Sequence, residues 1–143
     1  MRRRDPVAAL TKLRGFKERE ARLGMGLAMR KETEARQALA ERRQAYDARP
    51  VPQGPLSALE LRTFHLQGLR SSEQIAEATL ALGDIRASAE EARREWAAAS
   101  DKLKAAERLQ QKRREEMARI AQAAAMRSLD ELAVMMRGRQ QWS

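Results

Sequence analysis

The chain has 143 residues, enough for one domain, but only 3% of it is aromatic and 34% is charged. Ala, Leu, Arg, Glu and Gln dominate, which excludes an ordinary globular core and points to long helix or coiled coil. A net charge of +9 suits nucleic acid, an acidic protein or an anionic membrane surface, and the lack of cysteine excludes disulfides and Cys-ligated metal.

Met1-Arg2-Arg3-Arg4 has the basic start of a secretion signal, but a mixed helix follows rather than an apolar run, which reads against secretion by that route. No stretch approaches the roughly 20 apolar residues that a bilayer span needs.

Asp5-Pro6 is a helix start: Asp accepts from first-turn N–H groups, and Pro loses nothing at the first helical position. The first helix is expected over about 5–49. Its apolar stripe is read as Leu10, Leu13, Phe16, Leu23 and Leu27, then Ala35, Ala38, Leu39, Ala45 and Tyr46, with Lys17, Glu20, Lys31 and Glu34 near the seam. Glu18–Arg22 and Glu32–Arg36 have the spacing of helical ion pairs. Gly15, Gly24 and Gly26 mark either close approach or a soft spot.

Three prolines within 50–55 end the helix and form the one clear turn. Ser57 and Glu60 then make a capping box, with Leu56 and Leu61 as its staple. The second helix is expected over about 57–137, with Gly138 as its stop. Gly68 with Ser71 and Gln74 leaves a break near 68–71 open, and Ser128 with Glu131 leaves a kink near Arg127 open.

Within the second helix, steps of three and four residues run from Ile75 through Leu82, Ala89, Trp96, Leu103 and Ala106 to Met117 and Ile120. Only Gln110 and Arg113 interrupt this apolar heptad seam. The fold class is therefore all-α: two long helices in an antiparallel coiled-coil hairpin, read as a single domain, with the second helix longer. At 1.5 Å per residue the helices span roughly 65 Å and roughly 120 Å. The second should outrun the first, leaving Leu103, Leu109, Met117, Ile120 and Met126 without an intramolecular partner. A homodimer is the alternative way to cover them.

No catalytic constellation stands out. His65 is the single histidine, no phosphate-binding glycine loop is present, and Glu90, Glu91, Glu95, Glu115 and Glu116 read as a solvated face paired with Arg, as in Glu90–Arg94 and Glu115–Arg119. The chain reads as a non-enzyme with no cofactor and no metal. Arg2, Arg3, Arg4 and the pair Arg137 and Arg139 could hold phosphate, but interspersed acid and scarce aromatics argue against nucleic acid. The other reading is an acidic protein met by the paired basic ends.

Several segments resemble the FliJ family of flagellar export components. They are Leu10-Thr11-Lys12-Leu13-Arg14 with Glu18, Glu20 and Ala21, then Leu39 and Tyr46 before the turn. The most specific is Ala125-Met126-Arg127-Ser128-Leu129-Asp130-Glu131-Leu132-Ala133. The resemblance implies a stalk similar to that of rotary ATPases, which enters a hexameric export ATPase and promotes its assembly. It also implies contact with the cytoplasmic domain of the export gate, handling of export chaperones, and a cytoplasmic location, peripheral at the inner face of the membrane through these partners. On this resemblance, ATPase contact falls to Arg2, Arg3, Arg4, Arg14, Arg119, Arg127, Leu129 and Leu132, and gate contact to Leu39, Tyr46 and Phe64. The equivalent stalk of a virulence secretion system, a basic coiled coil on nucleic acid and a structural homodimer are the competing readings.

Overall fold

The first helix begins where the capping chemistry puts it. The Val7 N–H donates to Asp5 Oδ1 at 3.0 Å, and α1 runs from Pro6 to Asp47. It ends in a tightened turn, where the Ala48 N–H donates to the Gln44 carbonyl at 2.9 Å and the Arg49 N–H to the Tyr46 carbonyl at 3.3 Å. Pro50 then forbids further helix. Gly54, at φ 90°, takes the left-handed conformation that the turn needs and that a side chain would resist. The capping box forms reciprocally: the Glu60 N–H donates to Ser57 Oγ at 3.2 Å, and the Ser57 N–H to Glu60 Oε2 at 3.4 Å.

From there α2 runs unbroken from Ala58 to Gln141. The computed structural model describes residues 3–142, which hold these two helices and no strand. The helix passes through 68–71 without a break, so Ser71 and Gln74 do not cap. Ser128 donates to the Ala124 carbonyl at 3.1 Å inside the continuous helix, and Gly138 does not stop it. With 84 residues against 42, α2 is twice as long as α1. The two fold back as an antiparallel helical hairpin.

The seam on α2 lies where its apolar spacing puts it. Ile75, Ala78, Leu82, Ile85, Ala89, Ala92, Trp96, Ala99, Leu103 and Ala106 are all buried or half-buried. The seam on α1 keeps Ala35 and Leu39 of the expected stripe but otherwise runs through a different set. The covered residues are Val7, Thr11, Arg14, Glu18, Ala21, Met25, Ala28, Glu32, Ala35 and Leu39, a strict alternation of fours and threes. Leu10, Leu13, Phe16, Leu23 and Leu27 are exposed instead. Half of the α2 seam positions are alanine, which lets the partner helix approach closely.

Two buried carboxylates also fix the phase of α1, because Glu18 and Glu32 meet a Trp and two Arg of α2. Gly24 and Gly26 have open space where a Cβ would stand, so neither serves a close approach. Burial is thin, and no large side chain is fully buried among the described residues.

By contacts the chain divides into two compact units. One joins Met1–Phe16 to Ser100–Ser143, and the other is Lys17–Ala99. Here they are called the terminal unit and the hairpin unit.

Candidate functional surfaces

In the terminal unit the start of α1 lies along α2. A Cβ on Gly15 would stand 3.9 Å from Leu103 Cδ1, and Asp5 Oδ1 accepts from Arg113 Nη1 at 3.2 Å. Leu103 is therefore covered, contrary to the expectation that it stands free. Past Arg113 the picture changes. Met117, Ile120, Met126, Val134, Met135 and Met136 are all more than half exposed. Beside them, an open cavity of about 660 Å³ is lined by Asp5, Gln110, Arg113, Arg114, Glu116, Met117 and Ile120. Water is a poor neighbour for so many large apolar groups.

The residues expected to meet an ATPase divide accordingly. Arg3, Arg4, Arg119 and Arg127 are exposed, and Leu129 and Leu132 are 61% and 55% exposed. Arg14 is half-buried in the seam. Arg2 lies outside the described residues.

Beyond Ile120 α2 gains a second apolar stripe. Continuing the seam reaches Ala124, Arg127, Glu131 and Val134, while Ala118, Ala121, Ala125, Leu129, Leu132 and Met136 form a new stripe in steps of threes and fours. At 100° per residue the new stripe is turned by roughly 130° from the continued seam. The bare end thus has a face of its own.

In the hairpin unit two carboxylates are paired inward. Glu18, 4% exposed, takes both oxygens to Arg22 Nη2 at 2.6 Å and accepts from Trp96 Nε1 at 3.0 Å. The hydrogen bonds from Arg22 first, and from Trp96 second, hold its carboxyl below the usual carboxylate range. Glu32 sits among Arg36 at 2.7 Å, Arg93 at 3.6 Å and Arg86 at 3.8 Å. On the outer side of α2 the acids pair three residues apart, as Glu90–Arg93 and Glu91–Arg94, rather than as Glu90–Arg94. Arg42 reaches across the hairpin, donating to the Gln74 carbonyl at 3.4 Å.

Near the turn, the expected gate residues occupy different depths. Leu39 is 4% exposed and belongs to the seam, Phe64 is half-buried, and Tyr46 is 40% exposed. Between the last two lies a residue that the sequence reading passed over. The Arg49 guanidinium stands 4.1 Å from the Phe64 ring centre and 5.4 Å from that of Tyr46. It lies against Gly68, whose missing side chain makes the room, since a Cβ there would collide with the guanidinium. Arg49 Nη1 is buried and has no hydrogen-bond partner. A buried unsatisfied donor costs about 1–3 kcal/mol, and the cation–π contacts return roughly 0.5–2 kcal/mol. Two signals in the sequence pointed here: an Arg fixed in place by the following Pro50, and a Gly at a heptad position of α2.

These features define a class of protein: an all-α helical hairpin, with no helix among the described residues long and apolar enough to cross a membrane. Comparison with curated proteins and with solved structures gave no significant match. Comparison with protein families did: residues 4–141 match the family described as Flagellar FliJ protein. The chain belongs to the FliJ family, and membership implies the role of a stalk in flagellar protein export.

Proposed function

We propose that the chain is the central stalk of the flagellar type III export apparatus. On this reading the terminal unit binds the hexameric export ATPase and favours its ring form. A ligand that binds only the assembled ring shifts the equilibrium toward it without catalysing any step. Arg3, Arg4, Arg119 and Arg127 meet acidic groups of the ring, while Leu129 and Leu132 seat in apolar contacts. The hairpin end, through Tyr46 and Phe64, meets the cytoplasmic domain of the export gate. Leu39 supports that surface from beneath, because its side chain is already used in the seam. Export chaperones are handed on along the same stalk, and the protein works in the cytoplasm, reaching the membrane face through its partners.

One observation carries this reading: α2 outruns α1 and leaves Met117, Met126, Leu129, Leu132 and their neighbours bare. The test is ATPase stimulation by the full chain carrying Arg119→Glu and Arg127→Glu. Stimulation should fall at least tenfold while helicity is kept. Unchanged stimulation would remove the ATPase from this end.

A further inference from the structure

The cluster around Arg49 has the makings of a site. Every other arginine of the hairpin unit drawn into a contact here has an oxygen to meet: Arg22 has Glu18, Arg36, Arg86 and Arg93 share Glu32, and Arg42 has the Gln74 carbonyl. Arg49 has only rings and a glycine, and its buried Nη1 has no acceptor.

Beside it is a cavity of about 200 Å³ lined by Tyr46, Arg49, Phe64, His65, Gly68, Leu69 and Ser72. That lining contains a guanidinium, two hydroxyls and an imidazole, but no carboxylate. It is a cationic, donor-rich hollow with aromatic walls. The volume falls below the roughly 300–1,000 Å³ of small-molecule pockets, yet one acidic side chain fits.

We propose that this hollow receives the carboxylate of a single Asp or Glu side chain, presented by the protein that docks on the hairpin end. Docking at this end rests on the gate reading above; the carboxylate chemistry does not. The incoming carboxylate lifts the guanidinium off Gly68 and accepts from it in a bidentate pair, the geometry for which arginine is suited. Phe64 and Tyr46 keep the guanidinium plane aligned during the exchange. Gly68 is thus the resting place of a cation that has a better partner elsewhere.

Two measurements test this. In the first, N-acetyl-aspartate amide is titrated into the full chain while the Arg49 Nε–H and the Phe64 and Tyr46 ring resonances are followed. Saturable shifts confined to this cluster are expected, absent with N-acetyl-asparagine amide and absent in Arg49→Ala. Equal shifts from both probes, or none from the aspartate, would overturn the site.

In the second, binding of the export gate's cytoplasmic domain is compared for the wild type, Arg49→Ala, Arg49→Lys and Gly68→Ala, with helicity checked for each. Arg49→Ala should weaken binding about thirtyfold or more, as expected for a lost desolvated charge contact, and Arg49→Lys should restore part of it. Gly68→Ala unseats the guanidinium without removing it, so binding should hold or tighten. If Gly68→Ala and Arg49→Ala weaken binding alike, Arg49 is only a latch of the hairpin and the proposal fails. If the wild type takes up aspartate but not the gate domain, the gate reading fails and the carboxylate site stands.

Discussion

The two units solve the problem of an alanine-rich helix pair in opposite ways. The hairpin unit, Lys17–Ala99, carries 14 basic and 13 acidic residues, whereas the terminal unit carries 15 basic and 7 acidic, so +8 of the net +9 lies there. Inside the hairpin unit basic and acidic residues nearly balance, and two carboxylates are buried in the seam. In the terminal unit basic residues are left over, and so are the large apolar side chains past Arg113. The difference teaches how charge is divided along the pair: one unit nearly balances its own, and the other carries the excess.

The comparison is broken most readily by paired truncations. Leu82 is 4% exposed and Leu129 is 61% exposed. Leu82→Ala should cost about 2–4 kcal/mol, a core truncation, while Leu129→Ala should change stability by no more than about 0.5 kcal/mol. Denaturant melts followed by circular dichroism decide this, and equal costs would erase the distinction between the units.

Acid sharpens it next. A carboxyl whose pKa is lowered by folding contributes stability above its unfolded value, near 4.5 for Glu18, and that contribution is lost as pH falls through the folded value. The hairpin unit should therefore loosen as pH drops below the ordinary carboxylate range. Trp96 fluorescence in a Trp142→Phe background reports it, and Glu18→Gln should flatten that part of the acid profile.

Smaller still are the glycines. Gly24 and Gly26 face open space within α1, so Gly24→Ala and Gly26→Ala should each stabilise the hairpin unit by about 0.5–1 kcal/mol, seen as a raised Tm. A loss instead would mean that the glycines serve a contact or a bend. The smallest effect is expected at the ion pair of the terminal unit. Asp5→Asn keeps the helix cap and removes the charge opposite Arg113, so its stability change should stay within about 0.5 kcal/mol and vanish in high salt.

Much of the fold was legible because punctuation and apolar spacing are local. Asp5-Pro6, the prolines of the turn and the Ser57–Glu60 box each act within a few residues, and the α2 seam from Ile75 to Ala106 is written in apolar side chains. The α1 seam was not legible the same way. It runs through Thr11, Arg14, Glu18 and Glu32, while the leucines that catch the eye face water. A sign of it was present: Glu18 and Glu32 stand two heptads apart, each followed by an arginine four residues on. Reading acids as seam residues requires knowing that Trp96, Arg86 and Arg93 wait opposite them, and that is a fact of pairing, not of either helix alone. The Arg49 cluster was hidden for the same reason, since its parts come from the end of α1, the turn and α2. The bare end was foreseen from length, although Leu103 proved to lie on the covered side of its edge.

Hydrogen exchange along α2 tests the central claim most directly. In the free chain the amides of 117–141 should exchange far faster than those of 75–106, and adding the hexameric export ATPase should slow them selectively. If 117–141 is already protected in the free chain, or stays fast when the ring is present, the bare end is not a docking element.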